Sequence, residues 1–122
     1  LGQLNNQRLL DDEYRRAKVF VFPSFYESSG LPTTEAMRLG CPVVASDIPA
    51  LRERCGDAAL YADPTDIETF QTQIERLLDD EALWEEFQRR GLQRASLFTW
   101  DTQAKIVVEA ILNALDPDRE VQ

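Results

Sequence analysis

Two acidic residues, Glu27 and Glu35, stand eight positions apart around a short polar loop, Pro23-Ser24-Phe25-Tyr26-Glu27-Ser28-Ser29-Gly30-Leu31. The loop runs into Pro32-Thr33-Thr34-Glu35-Ala36-Met37. Pro32 fits the first position of a helix, where a missing N–H costs nothing. A helix start leaves backbone N–H groups without intrahelical partners, and the helix dipole adds partial positive charge there. The junction therefore reads as an anion site that needs no basic side chain. Gly30 lets backbone come close to a ligand. Ionised carboxylates only accept hydrogen bonds, so a pair of them beside an anion site suits the hydroxyls of sugars. A phosphate flanked by two hydroxyl-bearing rings describes a sugar nucleotide.

Spacing alone leaves blander readings open. Glu35 in an early helical turn can simply complement the dipole, and Glu27 on a loop can simply be solvated. The pair can also suggest the acid and nucleophile of a glycosidase. A single small α/β unit without a substrate groove argues against that.

The elements that must position this loop follow from periodicity. Asn6 can cap a helix over 7–17, with Leu10, Tyr14 and Ala17 on one face. Val19-Phe20-Val21-Phe22 is an unbroken apolar run stopped by Pro23, the pattern of a strand buried on both faces. The helix opened by Pro32 ends at Gly40. Strands follow at 42–45 and 58–61, with a short helix from Pro49 closed by Gly56 between them. Thr65 and Glu68 read as a capping box for a helix to about residue 78. Asp79 or Asp80 restarts a helix carrying Leu83, Trp84, Phe87 and Leu92. Thr99 caps a last helix, with Trp100 as its core anchor and an apolar stripe at Val107, Val108, Ile111, Leu112 and Leu115. That stripe must fold back on the sheet or pack on another chain. Leu1-Gly2 reads as the end of an earlier strand, and 116–122 as a charged tail. Short strands alternating with helices mean βαβ units and a parallel sheet, whose ligands bind beyond the carboxyl ends of the strands.

Composition narrows the function further. The 122 residues carry a net charge of −9, which repels polyphosphate and argues against nucleic-acid partners. No apolar run reaches the roughly 18 residues of a membrane span, and no signal-peptide pattern opens the chain, so a cytoplasmic protein is expected. There is no histidine, which removes Ser-His-Asp and Cys-His catalysis and His-ligated zinc within these 122 residues. Cys41 and Cys55 read as reduced and buried. Arg38, Arg52 and Arg54 read as solvated or paired with nearby acids.

The stretch FVFPSFYESSGLPTTEAMRLGCPVVASDIPALRE, with Gly56-Asp57-Ala58-Ala59-Leu60, Ala62-Asp63-Pro64 and Phe98-Thr99-Trp100, resembles the donor-binding half of retaining GT-B-fold glycosyltransferases of the group 1 family (family 4). Glu27 and Glu35 match the two acids of its Glu-x7-Glu signature. The resemblance implies a Rossmann-like α/β fold: the second half of a GT-B C-terminal domain over 1–115, with additional C-terminal helices. It implies transfer of a hexose from a nucleoside diphosphate sugar to an acceptor hydroxyl with retention, and no cofactor or metal. Glu27 would touch the donor sugar as the catalytic carboxylate. The backbone N–H groups of Ser29 and Gly30 would face the sugar, Leu31 N–H the diphosphate, Glu35 the ribose, and Leu4 the base. Ser28-Ser29 departs from the Gly-Phe of many members, which removes an aromatic that packs against the sugar or acceptor and adds a hydroxyl.

By the same resemblance, the Arg and Lys that clamp the diphosphate and the N-terminal acceptor domain lie outside these residues. The fragment alone is then expected to be inactive. The enzyme would be cytoplasmic or peripheral at the inner face of a membrane. Strand 18–22 becomes an open edge through which copies can self-associate. The rival reading is a non-enzymatic α/β interaction module in which the Glu pair is vestigial.

Overall fold

A computed structural model describes residues 6–116. Three strands form one parallel sheet in the order β1 (Phe20–Phe22), β2 (Val43–Ser46), β3 (Ala59–Ala62). The register pairs Phe20 with Val43 and Val44 with Leu60. Helices α1 (Gln7–Arg16), α2 (Leu31–Arg38) and α3 (Pro49–Cys55) alternate with the strands, and α4 (Ile67–Asp79), α5 (Glu81–Ser96) and α6 (Trp100–Leu115) follow. The Leu1 strand stub, Leu4 and the tail beyond Asp116 lie outside the described residues.

Strand alternation sends side chains to two faces, and each face has its own apolar cluster. Val43 and Ala45 join Ala36, Met37, Cys41, Leu51 and Cys55 on one side. Val44 joins Leu60, Phe70, Leu77 and Phe87 on the other. The sheet is thus the middle of three layers, and all four residues of β2 are buried. Met37 and Leu77, each 1% exposed, contribute roughly 1.5–3 kcal/mol apiece by leaving water.

Strand β1 differs from its expected burial on both faces. Phe20 and Phe22 pack towards one cluster and Val19 and Val21 towards the other, yet all of β1 is only half-buried. The cause is its position: among the described residues β1 pairs with β2 alone. Outside the ladder, the Trp84 indole N–H donates to the Lys18 carbonyl at 2.7 Å, which ties α5 to the entry of this edge strand.

Helix starts show which polar side chain wins a cap. Asn6, Asp80 and Thr99 accept from backbone N–H groups of α1, α5 and α6 as expected. The Thr65–Glu68 capping box does not form. Asp66 accepts from Glu68 N–H and is the cap of α4, while Thr65 donates its N–H and hydroxyl to Asp63. Aspartate one residue nearer the helix is an equally strong cap, and it leaves Thr65 to close the turn after β3.

Helix α6 departs most from expectation. No residue of it is buried. Trp100 is 91% exposed, so it does not anchor the core, and Ile111 and Leu115 are exposed as well. The apolar stripe does not fold back on the sheet. No helix among the described residues is long and apolar enough to cross a membrane. Both cysteines are free and buried.

Candidate functional site: the turn and groove at helix α2

Helix α2 begins just beyond the carboxyl end of β1, where a parallel sheet presents its loops. Its N-cap is Gly30, with φ of 63°. That left-handed conformation favours glycine, and space requires it too. A Cβ on Gly30 would lie 2.8 Å from Leu51 Cδ2 and 3.4 Å from Arg54 Cγ. Gly30 therefore serves the close approach of α3, a different reason from the close ligand approach read in the sequence. Pro32 sits in the first turn, and the Thr33 hydroxyl and N–H both donate to the Gly30 carbonyl, which tightens that turn.

The turn before α2 is organised by Glu27. Its Oε1 accepts the backbone N–H groups of Ser28 at 3.1 Å, Ser29 at 3.3 Å and Gly30 at 3.3 Å. These bonds hold the Glu27 carboxyl below its ordinary value, with Gly30 N–H the largest contributor and Ser29 N–H next. The family resemblance implies that the Ser29 and Gly30 N–H groups face the sugar. In the structure both donate to Glu27. A carboxylate three residues before the N-cap reaches its own turn with little entropy lost, as a side-chain cap does. The bonds all use Oε1, and Oε2 takes none of them.

Glu35 lies in the second turn of α2 and is half-buried. Leu31, Thr34, Glu35 and Arg38 follow one another at i, i+3, i+4 and i+7 and form one face of the helix. That face lines a groove of about 440 Å³ whose opposite wall includes Phe98, Thr99 and Trp100. Leu31 is 52% exposed at its upper end. Glu35 is thus placed in a groove running down from the helix start, and Glu27 on the turn leading into it. Glu27 is not among the residues lining that groove.

A role the sequence did not show belongs to Arg54. Its Nε–H donates to the Ser29 carbonyl at 2.6 Å, and its guanidinium lies 4.3 Å from the centroid of the Phe98 ring. Among the described residues it forms no salt bridge, and the contacts it makes are with a backbone carbonyl and an aromatic ring. Arg52 does form one, in a two-bond fork with Asp47 at 2.7 and 2.9 Å, and its guanidinium also stacks 3.8 Å over Tyr61. Arg38 is exposed, as expected. Arg94, on α5, donates to the carbonyls of Glu53 and Arg54, covering the end of α3. An Arg one helix away from the loop leaves no local sequence signal, because the contact spans 25 positions.

This arrangement can be set against known proteins. The family model described as glycosyl transferases group 1 matches residues 1–94. O-antigen chain mannosyltransferase B of Escherichia coli is 46% identical over 72% of this chain and 23% of its own length. Glycogen synthase of Mycobacterium tuberculosis is 33% identical over 100% of this chain and 30% of its own. The solved sucrose-phosphate synthase of Thermosynechococcus elongatus superposes with a TM-score of 0.79 at 31% identity, covering 93% of this chain and 30% of that one. The chain therefore spans less than a third of the length of each of these proteins. The family match covers β1, the turn at Glu27, all of α2 and both remaining strands, and stops before the groove wall at Phe98, Thr99 and Trp100; the chain belongs to the group 1 glycosyl transferases, as part of a GT-B-type α/β unit.

Proposed function

We propose that this chain is the donor-binding part of a glycosyltransferase that moves a hexose from a nucleoside diphosphate sugar to an acceptor hydroxyl, with retention at the anomeric carbon. The observation that carries the reading is the groove along α2, with the helix start at its head and Glu35 one turn below. Leu31 and Glu35 are four residues apart, about 6 Å along a helix axis. That separation suits a diphosphate at the Leu31 N–H and a ribose whose hydroxyls donate to Glu35.

Glu27 presents Oε2 to the hydroxyls of the transferred sugar, while the Ser29 and Gly30 N–H groups act through it by holding Oε1. Leu4 packs on the base. Among this chain's own residues, which include no histidine, the helix start and its dipole are what stabilises the departing diphosphate. No metal or cofactor is required. The acceptor-binding domain and the cationic diphosphate clamp come from the rest of a longer polypeptide, so the chain alone binds donor without turning it over. The enzyme acts in the cytoplasm, at the inner face of a membrane when its acceptor is a lipid.

One observation favours a second reading, a non-enzymatic module: Glu27 spends one oxygen on its own backbone. Thermal melts with UDP-, GDP- and ADP-sugars separate the two. A ligand that binds only the folded state must raise Tm, by about 2.7 kcal/mol of stabilisation at a hundredfold excess over Kd. A rise with one base and not the others supports the donor site. No rise with any of them supports the module.

A further inference from the structure

The Ser29 carbonyl and the Gly30 N–H belong to one peptide unit, and the two ends of that unit are held by different residues. The N–H donates to Glu27 Oε1 at 3.3 Å. The carbonyl accepts from Arg54 Nε at 2.6 Å. A peptide is planar and stiff, so fixing its oxygen fixes the direction of its N–H. A cationic donor on the carbonyl also polarises the unit and strengthens the bond its N–H makes.

Arg54 is itself well held. Its guanidinium lies 4.3 Å from the Phe98 ring centroid, and its stem packs where a Gly30 Cβ would be, 3.4 and 3.5 Å from Cγ and Cβ. Its own carbonyl accepts from Arg94 Nε at 2.8 Å. The side chain, carried at the end of α3, therefore bridges the 27–30 turn and the turn between α5 and α6.

Resting on the donor-site reading above, we propose that Arg54 is a positioning residue for Glu27, orienting the Ser29–Gly30 peptide so that the carboxylate keeps one oxygen on the turn and offers the other to the donor sugar. Arg54 touches no reacting atom in this account. Its effect reaches the sugar only through Glu27. The Glu27 carboxyl is lowered mainly by the Gly30 and Ser29 N–H groups, so a loosened peptide must be felt there first.

Two measurements on the natural polypeptide test this. The first is kinetic. Arg54→Met keeps the stem over Gly30 but removes the donor. It should lower kcat for sugar transfer by about 10- to 100-fold, the scale of a slightly misplaced catalytic group, with donor KM changed less than about threefold. In a Glu27→Gln background the same change should cost less than about twofold more, because the two residues act as one unit. A full additional loss in that background, or an unchanged kcat in Arg54→Met alone, would overturn the proposal.

The second needs no turnover and stands even if no sugar nucleotide is a substrate. The pH titration of Glu27 is followed through the NMR shifts of the Ser29 and Gly30 amides, in the wild type, Arg54→Met and Arg54→Lys. Arg54→Met should move the midpoint up towards the ordinary carboxylate value. Arg54→Lys, which keeps a cationic donor, should fall between the two. If Arg54→Met leaves the midpoint in place, the peptide is oriented without Arg54 and the inference fails, whatever the enzyme's substrate. If Arg54→Met does not fold, Arg54→Lys decides alone: a midpoint equal to wild type, with kcat lowered additively with Glu27→Gln, contradicts the proposal.

Discussion

Gly91 of α5 lies against Met37 of α2 so closely that a Cβ on Gly91 would stand 3.1 Å from Met37 Cγ and 3.3 Å from its Cβ. The helix that carries Glu35 is held at its height above the sheet by this contact. Met37 is 1% exposed and Ala36 fully buried, so α2 has little room to shift. Gly91→Val should therefore destabilise the domain by about 1–3 kcal/mol through overpacking. The gain in helix propensity over glycine is smaller than that. Chemical denaturation checks it; an unchanged midpoint would mean that α2 can move outward freely.

The Glu27 turn should respond to acid in a defined direction. Its carboxyl is lowered in the folded chain by the N–H bonds of Gly30, Ser29 and Ser28. A group lowered on folding stabilises the fold above its unfolded value, and that contribution disappears as pH falls through the folded value. Glu27→Gln should remove this pH dependence in the acid range while leaving stability at neutral pH with the smaller contribution of a neutral acceptor. Urea melts between pH 3 and 7 on the two forms would show it. Parallel curves would mean that the three bonds do not distinguish carboxylate from amide.

The two thiols should be inert in the native state. Burial pushes Cys41 up to about 11. Burial also raises Cys55, against the lowering effect of its bond to Thr33. Thiolate is the reactive form. Labelling with a disulfide reagent at pH 8 should therefore be slow for both cysteines and fast after unfolding. Rapid native labelling of either would show that its packing opens.

The edge of β1 gives a residue-by-residue test. Phe20 N–H donates to the Pro42 carbonyl at 2.8 Å, inside the sheet. Alternation turns the Val19 and Val21 N–H groups to the other side, where no described strand pairs with β1. In a dilute monomer Phe20 should exchange its amide hydrogen slowly and Val21 quickly. Protection of Val21 that appears only as concentration rises would identify the edge as a self-association surface. Protection at all concentrations in a verified monomer would contradict an open edge.

Much of this was legible in the sequence because it rests on short-range chemistry. Asn6, Asp80 and Thr99 announce their helices, and the runs at 19–22, 42–45 and 58–61 are the strands, shifted by about a residue. Glu27 and Glu35 stand out by type and spacing. Other features depend on what comes close in space. Asp66 displaces the Thr65–Glu68 box because two good caps compete within two residues, and the winner is set by the turn after β3. Trp100 reads as a core residue by composition, yet no described element covers it. The Ser29 and Gly30 N–H groups look unpartnered until Glu27 folds back onto them. Arg54 carries no local signal, since its partners, Ser29 and Phe98, lie 25 positions before it and in the turn beyond α5.

The most direct test of the donor-site account is calorimetric titration of the natural polypeptide with the sugar nucleotide that raises its Tm, in the wild type, Glu35→Ala and Glu27→Ala forms, joined to initial-rate kinetics. A ribose contact is similar in ground and transition states, whereas a carboxylate beside the reacting sugar matters more as charge develops. The account predicts that Glu35→Ala weakens donor binding by roughly tenfold or more, about the cost of one lost charged hydrogen-bond partner, and that Glu27→Ala lowers kcat while largely sparing Kd. Loss of affinity alone in both variants, or less than about a twofold change in either, would contradict it.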